Sequence, residues 1–227
     1  MSVSPPLAIP SAAFTGGAVV AGVSAYLIIK RKDLEMARST FKLGAITMLI
    51  SFVLVAVSGD ITARIMTEQQ PMKMAAAEAL YDTQANAPFS LLTIGTLDGS
   101  KAVFQMGVPS VLSFMSTGDF NGVVEGINDL EAMYDEKYGP GDYTPNVPLA
   151  YWSFRLMIGF GVIASLFVFL ALWQMRRGGT PKGKWFGPAM YSLPFLPLLA
   201  NSFGWIFTET ARQPWAVFGL IKTEDGV

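Results

Sequence analysis

The stretch WIFTETARQPW (Trp205–Trp215) decides the class of fold. It places a carboxylate, Glu209, and a guanidinium, Arg212, at the end of a run that carries no charge from Trp185 to Thr208. About 20 apolar residues are enough to cross the hydrocarbon core of a bilayer, so Glu209 falls where the membrane ends. On a helix, Asn201, Trp205, Glu209 and Arg212 follow at spacings of four, four and three, which lines an amide, an indole, a carboxylate and a guanidinium along one face. Pro214 predicts the end of that helix just past the arginine.

Three further uncharged runs lie upstream: Ala12 to Ile29, Leu43 to Gly59, and Leu156 to Met175. Hydrophobic residues make up 52% of the chain and charged residues 15%, too apolar a balance for an ordinary soluble domain. The expected fold is an all-α integral membrane protein with four transmembrane helices and a long extracytoplasmic loop between the second and third. The expected division is 1–59 for the first two spans and their turn, 60–147 for the outer loop, 148–215 for the third and fourth spans, and 216–227 for a C-terminal tail. Met1 to Pro10 has no basic segment of the kind that opens a signal peptide, and Pro5, Pro6 and Pro10 are expected to break any helix there. The first span is therefore expected to be retained.

Basic residues set the sidedness. Lys30, Arg31, Lys32, Arg38 and Lys42 flank the first connection, and Arg176, Arg177, Lys182 and Lys184 the third, so both are expected on the cytoplasmic side. The segment from Asp60 to Val147 has only Arg64, Lys73, Lys101 and Lys137 against a dozen acids, which places it outside. A formal net charge of −1 hides this asymmetry and gives no sign of nucleic-acid binding. The chain has no cysteine and no histidine. Disulfides, thiolate metal sites and imidazole catalysis are therefore excluded, leaving carboxylates, Lys, Arg, Tyr, Trp and Met for any chemistry.

Within the outer segment, Met66 to Asp82 reads as a helix of strong formers once past Pro71. Ala87 to Val108 reads as extended pieces joined by a turn at Asp98-Gly99. Asn121 to Lys137 reads as an amphipathic helix with Val123, Ile127, Leu130 and Tyr134 on one face, ended by Gly139-Pro140-Gly141. Lys73 and Glu78 are five apart, which separates them too far round a helix for a mutual salt bridge. They read either as solvated charges or as a cation and a carboxylate offered to one polar head group. Arg155, at the edge of the third span, reads as snorkelling to head groups or as paired with an anion in the protein. Glu209 and Arg212 read as a surface ion pair or as part of a functional face.

Taken together, these segments resemble subunit I of the cytochrome bd-type quinol oxidases. Gly204-Trp205, Glu209 and Arg212-Gln213-Pro214-Trp215 are similar to that family's Gly-Trp, Glu and Gly-Arg-Gln-Pro-Trp signature. Gln70-Pro71-Met72-Lys73-Met74-Ala75-Ala76-Ala77-Glu78 resembles the start of its outer quinol-binding loop, Ser58-Gly59-Asp60 the end of the preceding span, and Trp152-Ser153-Phe154-Arg155-Leu156-Met157 its methionine-bearing helix. The resemblance implies a membrane quinol:oxygen oxidoreductase that oxidises quinol outside and passes electrons through b-type haems to haem d, where oxygen becomes water. It implies Met157 as an axial ligand of the low-spin haem b, with Arg155 beside that haem and favouring its reduced form. It implies Glu209 as the iron ligand of the high-spin haem b, Trp205 on the electron path and Arg212 supporting the haem region, while Lys73 and Glu78 bind or deprotonate the quinol. The implied setting is the bacterial cytoplasmic (inner) membrane, with subunit II, small accessory subunits and membrane lipid as partners.

Three departures qualify the likeness. The family's low-spin haem takes its second ligand from a histidine whose place here falls near Leu7, and Ala211 replaces the signature glycine. Helices bearing the other haem histidine have no counterpart. The expectation is therefore a C-terminal portion of the subunit, with the haem sites completed by an N-terminal half of subunit I or by other chains. The alternative is a non-catalytic membrane scaffold, a degenerate copy without the haem-ligating histidines.

Overall fold

A computed structural model describes residues 5–96, 101–176 and 184–226. The expected turn at Asp98-Gly99 and the basic residues Arg177 and Lys182 lie outside the described residues. In chain order the elements are α1 (Pro5–Ile29), α2 (Leu34–Gln69), α3 (Pro71–Glu78), β1 (Gln84–Ala85), β2 (Phe89–Gly95), β3 (Ala102–Val108), α4 (Val111–Thr117), β4 (Val123–Val124), α5 (Ile127–Tyr138), α6 (Val147–Met175), α7 (Phe186–Ser192), α8 (Phe195–Thr210), β5 (Trp215–Val217) and β6 (Ile221–Lys222), closed by a 3₁₀ turn, Thr223–Gly226. The fold is mostly helical rather than exclusively so. Among the described residues it also holds three two-stranded antiparallel sheets, β1-β4, β2-β3 and β5-β6.

Among the described residues three helices, α1, α2 and α6, are long and apolar enough to cross a membrane. The run from Trp185 to Thr208 folds as two helices, not one. Pro194 lies between α7 and α8 and has no N–H to give to the preceding turn, although Leu193 keeps helical dihedrals (φ −53°, ψ −43°). The proline-rich start, expected to stay out of any helix, instead opens α1, which contains Pro10. Pro5 and Pro6 occupy the first turn, where N–H groups have no helical partner in any case, and Pro10 removes a single bond further on. Helix α2 continues past Gly59 to Gln69 and stops before Pro71, so the helix expected over Met66 to Asp82 is divided at Gln70.

The chain divides into two compact units, Met1–Gly59 with Leu156–Ser202 and Asp60–Arg155 with Phe203–Val227. In the first unit, Ala18, Ala21 and Ala25 on α1, Phe41, Ala45 and Met48 on α2, and Ala164, Val168 and Ala171 on α6 are buried together at helical spacings. Lipid tails are as apolar as leucine, so helices in a bilayer gain chiefly from close approach of small side chains. A Cβ added to Gly17 of α1 would stand 2.8 Å from the Gly44 carbonyl oxygen of α2. Leu43, Ile46, Ile50, Val53 and Leu54 of α2 point outward and are exposed, as lipid-facing residues are.

The second unit is built around α3. Met72, Ala75 and Ala79 pack with Leu130, Tyr134, Tyr143, Val147, Tyr151 and Trp215. Met74 and Leu80 pack with Ala87, Leu112 and Val124, while Ala76 and Ala77 pack with Ala150, Phe207 and Ala211. Three clusters around one short helix leave it no solvated face, and its run of alanines is what allows neighbours to close in on every side. In α5 the expected stripe holds for Ile127, Leu130 and Tyr134, all buried. Val123 precedes the helix, pairs in β4 and is exposed.

Candidate functional site

Glu78 is the last residue of α3. Ala79 follows in the left-handed conformation (φ 49°), and the Leu80 N–H reaches back to the Ala75 carbonyl oxygen at 2.9 Å. This closing turn satisfies the helix end and leaves the carboxylate inside the unit, where Glu78 is 2% exposed. Its Oε2 accepts Nη2 of Arg155 at 2.5 Å and the backbone N–H of Ser90 at 3.1 Å.

Arg155 comes from α6, one turn beyond Tyr151. Its guanidinium lies 4.6 Å from the ring centroid of Phe89, 5.0 Å from Tyr151 and 5.3 Å from Phe154. Among the described residues Nε and Nη1 are buried without a hydrogen-bond partner, and the aromatic faces supply the attraction those groups lack. Ser90 is held from behind. Its Oγ lies 2.6 Å from Thr93 Oγ1 and 2.8 Å from the Tyr151 hydroxyl, which also accepts the Thr93 N–H at 2.7 Å. Residues three apart on a regular strand face opposite ways, yet Ser90 and Thr93 are both buried. The register shift between Ser90 and Leu92 reconciles them, because a bulge adds a residue and re-aims the side chains after it.

Burial pushes the Glu78 carboxyl above its ordinary 4.5, with the charge and hydrogen bond of Arg155 and the Ser90 N–H opposing the rise. A carboxyl poised upward is better matched to proton transfer near neutral pH.

Lys73 lies elsewhere on α3. Its Nζ sits 5.4 Å from the Phe207 ring centroid. Burial pushes its amine below 10.5, Arg212 adds to that, and Glu209 opposes it. Glu209 and Arg212 form a 2.6 Å ion pair with side chains 42% and 40% exposed. Because α8 ends at Thr210, Arg212 lies in the following turn rather than on the helix; its Nη1 donates to the Ala216 carbonyl oxygen at 3.5 Å.

The structure regroups the residues singled out from sequence. Lys73 and Glu78 do not pair; Glu78 pairs with Arg155, and Lys73 lies over the Phe207 ring and feels the charges of Arg212 and Glu209. Neither is a solvated charge. Met157 follows Arg155 on α6 and is partly exposed, Trp205 is 72% exposed, and Asn201 donates to Thr15 Oγ1 at 3.4 Å. Among the described residues no three His, Cys, Asp or Glu side chains gather as a metal site. Ser90, Thr93 and Tyr151 escaped sequence reasoning. Only the spacing of four between Tyr151 and Arg155 could have linked any of them to the site.

Three helices long and apolar enough to cross a membrane, with a polar site built on a buried acid, fit a multi-pass membrane protein. The family model for cytochrome bd terminal oxidase subunit I matches residues 3–227, and the chain belongs to that family. It is 40% identical over 215 residues to cytochrome bd ubiquinol oxidase subunit 1 of Bacillus subtilis (strain 168), an alignment covering 94% of this chain and 46% of that protein. Cytochrome bd-II ubiquinol oxidase subunit 1 of Escherichia coli (strain K12) is 25% identical over 267 residues, covering 92% and 52%. The solved bd oxidase from Geobacillus thermodenitrificans superposes with a TM-score of 0.82 at 25% identity, covering 98% of this chain and 49% of that one. The chain thus spans about half the length of the relatives it matches.

Proposed function

We propose that this chain supplies the quinol-oxidising part of a cytochrome bd-type quinol:oxygen oxidoreductase in the bacterial cytoplasmic membrane, working with the remainder of subunit I and with subunit II. The observation that carries the reading is the buried Glu78 held by Arg155 in a member of this family. α7 and α8 together form a fourth span beside α1, α2 and α6, and residues 60–147 face the outside.

Glu78 takes a proton from a quinol hydroxyl at its carboxylate and releases it outward, while Arg155 stabilises the ionised form. Lys73, with its amine lowered by burial, hydrogen-bonds the other end of the quinone ring. The donor set fits haem, since a thioether and a carboxylate can each ligate iron and Met157 and Glu209 are both left accessible by the packing. Met157 would hold a low-spin haem b and Glu209 a high-spin haem b, with Arg155, Arg212 and Trp205 around them and with further ligands from outside this sequence, which has no histidine. When bound, the b-type haems and haem d supply one-electron acceptance from quinol and the reduction of oxygen to water.

The test is quinol-dependent oxygen uptake by membranes carrying the assembled oxidase. Glu78→Ala should lower the rate about a hundredfold, the usual size of a lost general base, and Lys73→Ala should weaken quinol binding. Wild-type uptake in both variants refutes the assignment.

A further inference from the structure

Tyr151 touches both residues that hold Glu78. Its ring faces the Arg155 guanidinium at 5.0 Å, and its hydroxyl meets Ser90 Oγ at 2.8 Å and the Thr93 N–H at 2.7 Å. That hydroxyl accepts from the Thr93 N–H, and Ser90 Oγ, which shares one hydrogen bond with it, shares another with Thr93 Oγ1 at 2.6 Å. Each of these hydroxyls can donate once and accept twice, so the three side chains join in one hydrogen-bonded network. Ser90, Thr93, Tyr151 and Glu78 are all buried, where leaving any of these groups unpaired is costly and a satisfied network is rigid. The backbone N–H of the Ser90 so fixed is the second donor on Glu78 Oε2.

We propose that Tyr151 is a positioning residue for quinol oxidation: through Ser90 on one side and Arg155 on the other, it holds the Glu78 carboxylate where it can take the proton of a quinol hydroxyl. The inference rests on the reading of Glu78 as the proton acceptor. The groups acting on Glu78 are Arg155 from α6 and the Ser90 N–H from β2; Lys73, on α3 itself, feels the charges of Arg212 and Glu209. Removing the Tyr151 hydroxyl frees Ser90 and loosens a hydrogen bond made to the ionised carboxylate. That favours the protonated form. The rate, which falls as pH drops through the Glu78 titration, should then begin to fall at a higher pH.

The experiment measures quinol oxidation against pH by the assembled oxidase in membranes for the native protein, Tyr151→Phe, Ser90→Ala and Glu78→Gln. Tyr151→Phe keeps the ring against Arg155 and should move the acid limb of kcat upward by about half to one pH unit, the worth of one such hydrogen bond, with KM for quinol unchanged. Ser90→Ala should move it the same way. The double variant should move it less than the sum of the two, because both act through one network. Infrared difference spectra should show the protonated-carboxyl band that Glu78→Gln abolishes persisting to higher pH in Tyr151→Phe, a signature that mere loss of stability does not produce. If Tyr151→Phe fails to assemble, Ser90→Ala and Thr93→Val carry the same test. An inactive Glu78→Gln beside an unmoved limb and band in the hydroxyl variants overturns the role of Tyr151 while sparing that of Glu78. A fully active Glu78→Gln overturns both.

Discussion

The second unit contains two Arg–Glu pairs of nearly equal length, Arg155–Glu78 at 2.5 Å and Arg212–Glu209 at 2.6 Å. Geometry makes them look alike, but burial separates them. The side chains of the first are 11% and 2% exposed, those of the second 40% and 42%. The partners of the first are 77 residues apart in sequence and those of the second three. The second pair follows from local spacing and sits in water-like screening, where such contacts contribute about 0–1 kcal/mol. The first exists only because α3, β2 and α6 meet, and its charges have given up their hydration. A short distance therefore says little about what an ion pair does for the protein. A buried pair is a poor source of net stability but a severe liability once broken.

The largest effect should come from breaking the buried pair on one side. Arg155→Met leaves the Glu78 carboxylate without its cation and should cost about 3–5 kcal/mol of unfolding free energy, read by denaturant unfolding in detergent. Arg155→Met with Glu78→Gln should recover much of that loss. A cost below about 1 kcal/mol for Arg155→Met would erase the contrast between the pairs.

An intermediate effect should appear in the pH dependence. Burial raises the Glu78 carboxyl above 4.5, so the folded chain keeps a proton that the unfolded chain has already lost. This contribution is fully present below 4.5 and declines as pH rises through the raised value, with a slope of up to about 1.4 kcal/mol per pH unit. Glu78→Gln should flatten that part of the stability curve. Lys73 has the opposite sign: its lowered amine contributes stability above 10.5 that is lost as pH falls through the folded value, and Lys73→Met should remove that dependence.

The smallest effect belongs to the exposed pair. Glu209→Gln should change stability by less than about 1 kcal/mol and lose even that in high salt. On the proposed ligation, the same variant should nevertheless alter the high-spin haem b spectrum of the assembled oxidase. A stability loss as large as that of Arg155→Met would show the two pairs to be equivalent.

Much of the fold was legible in the chain. Runs without charge marked α1, α2 and α6, the Ile127, Leu130 and Tyr134 stripe marked α5, and Gly139 marked its end. The break between α7 and α8 lay in plain view at Pro194, but the unbroken absence of charge outweighed it. Of the site, Glu78 and Arg155 were each visible as charges in telling positions, while their pairing was not. Ser90 and Thr93 were hidden because a strand with regular alternation would bury only one of them, and the bulge at Leu91 is not written in residue types.

What the sequence by itself determined is therefore the three long apolar helices α1, α2 and α6 and the local ion pair at Glu209 and Arg212. In an apolar medium each backbone N–H must find its acceptor within its own helix, and residues three apart across a helix end and its closing turn stay within reach of each other. What only the tertiary structure decided is which of two similar acid–base pairs is desolvated. That depends on three clusters of side chains closing around α3, and desolvation is a property of everything nearby rather than of any spacing along the chain.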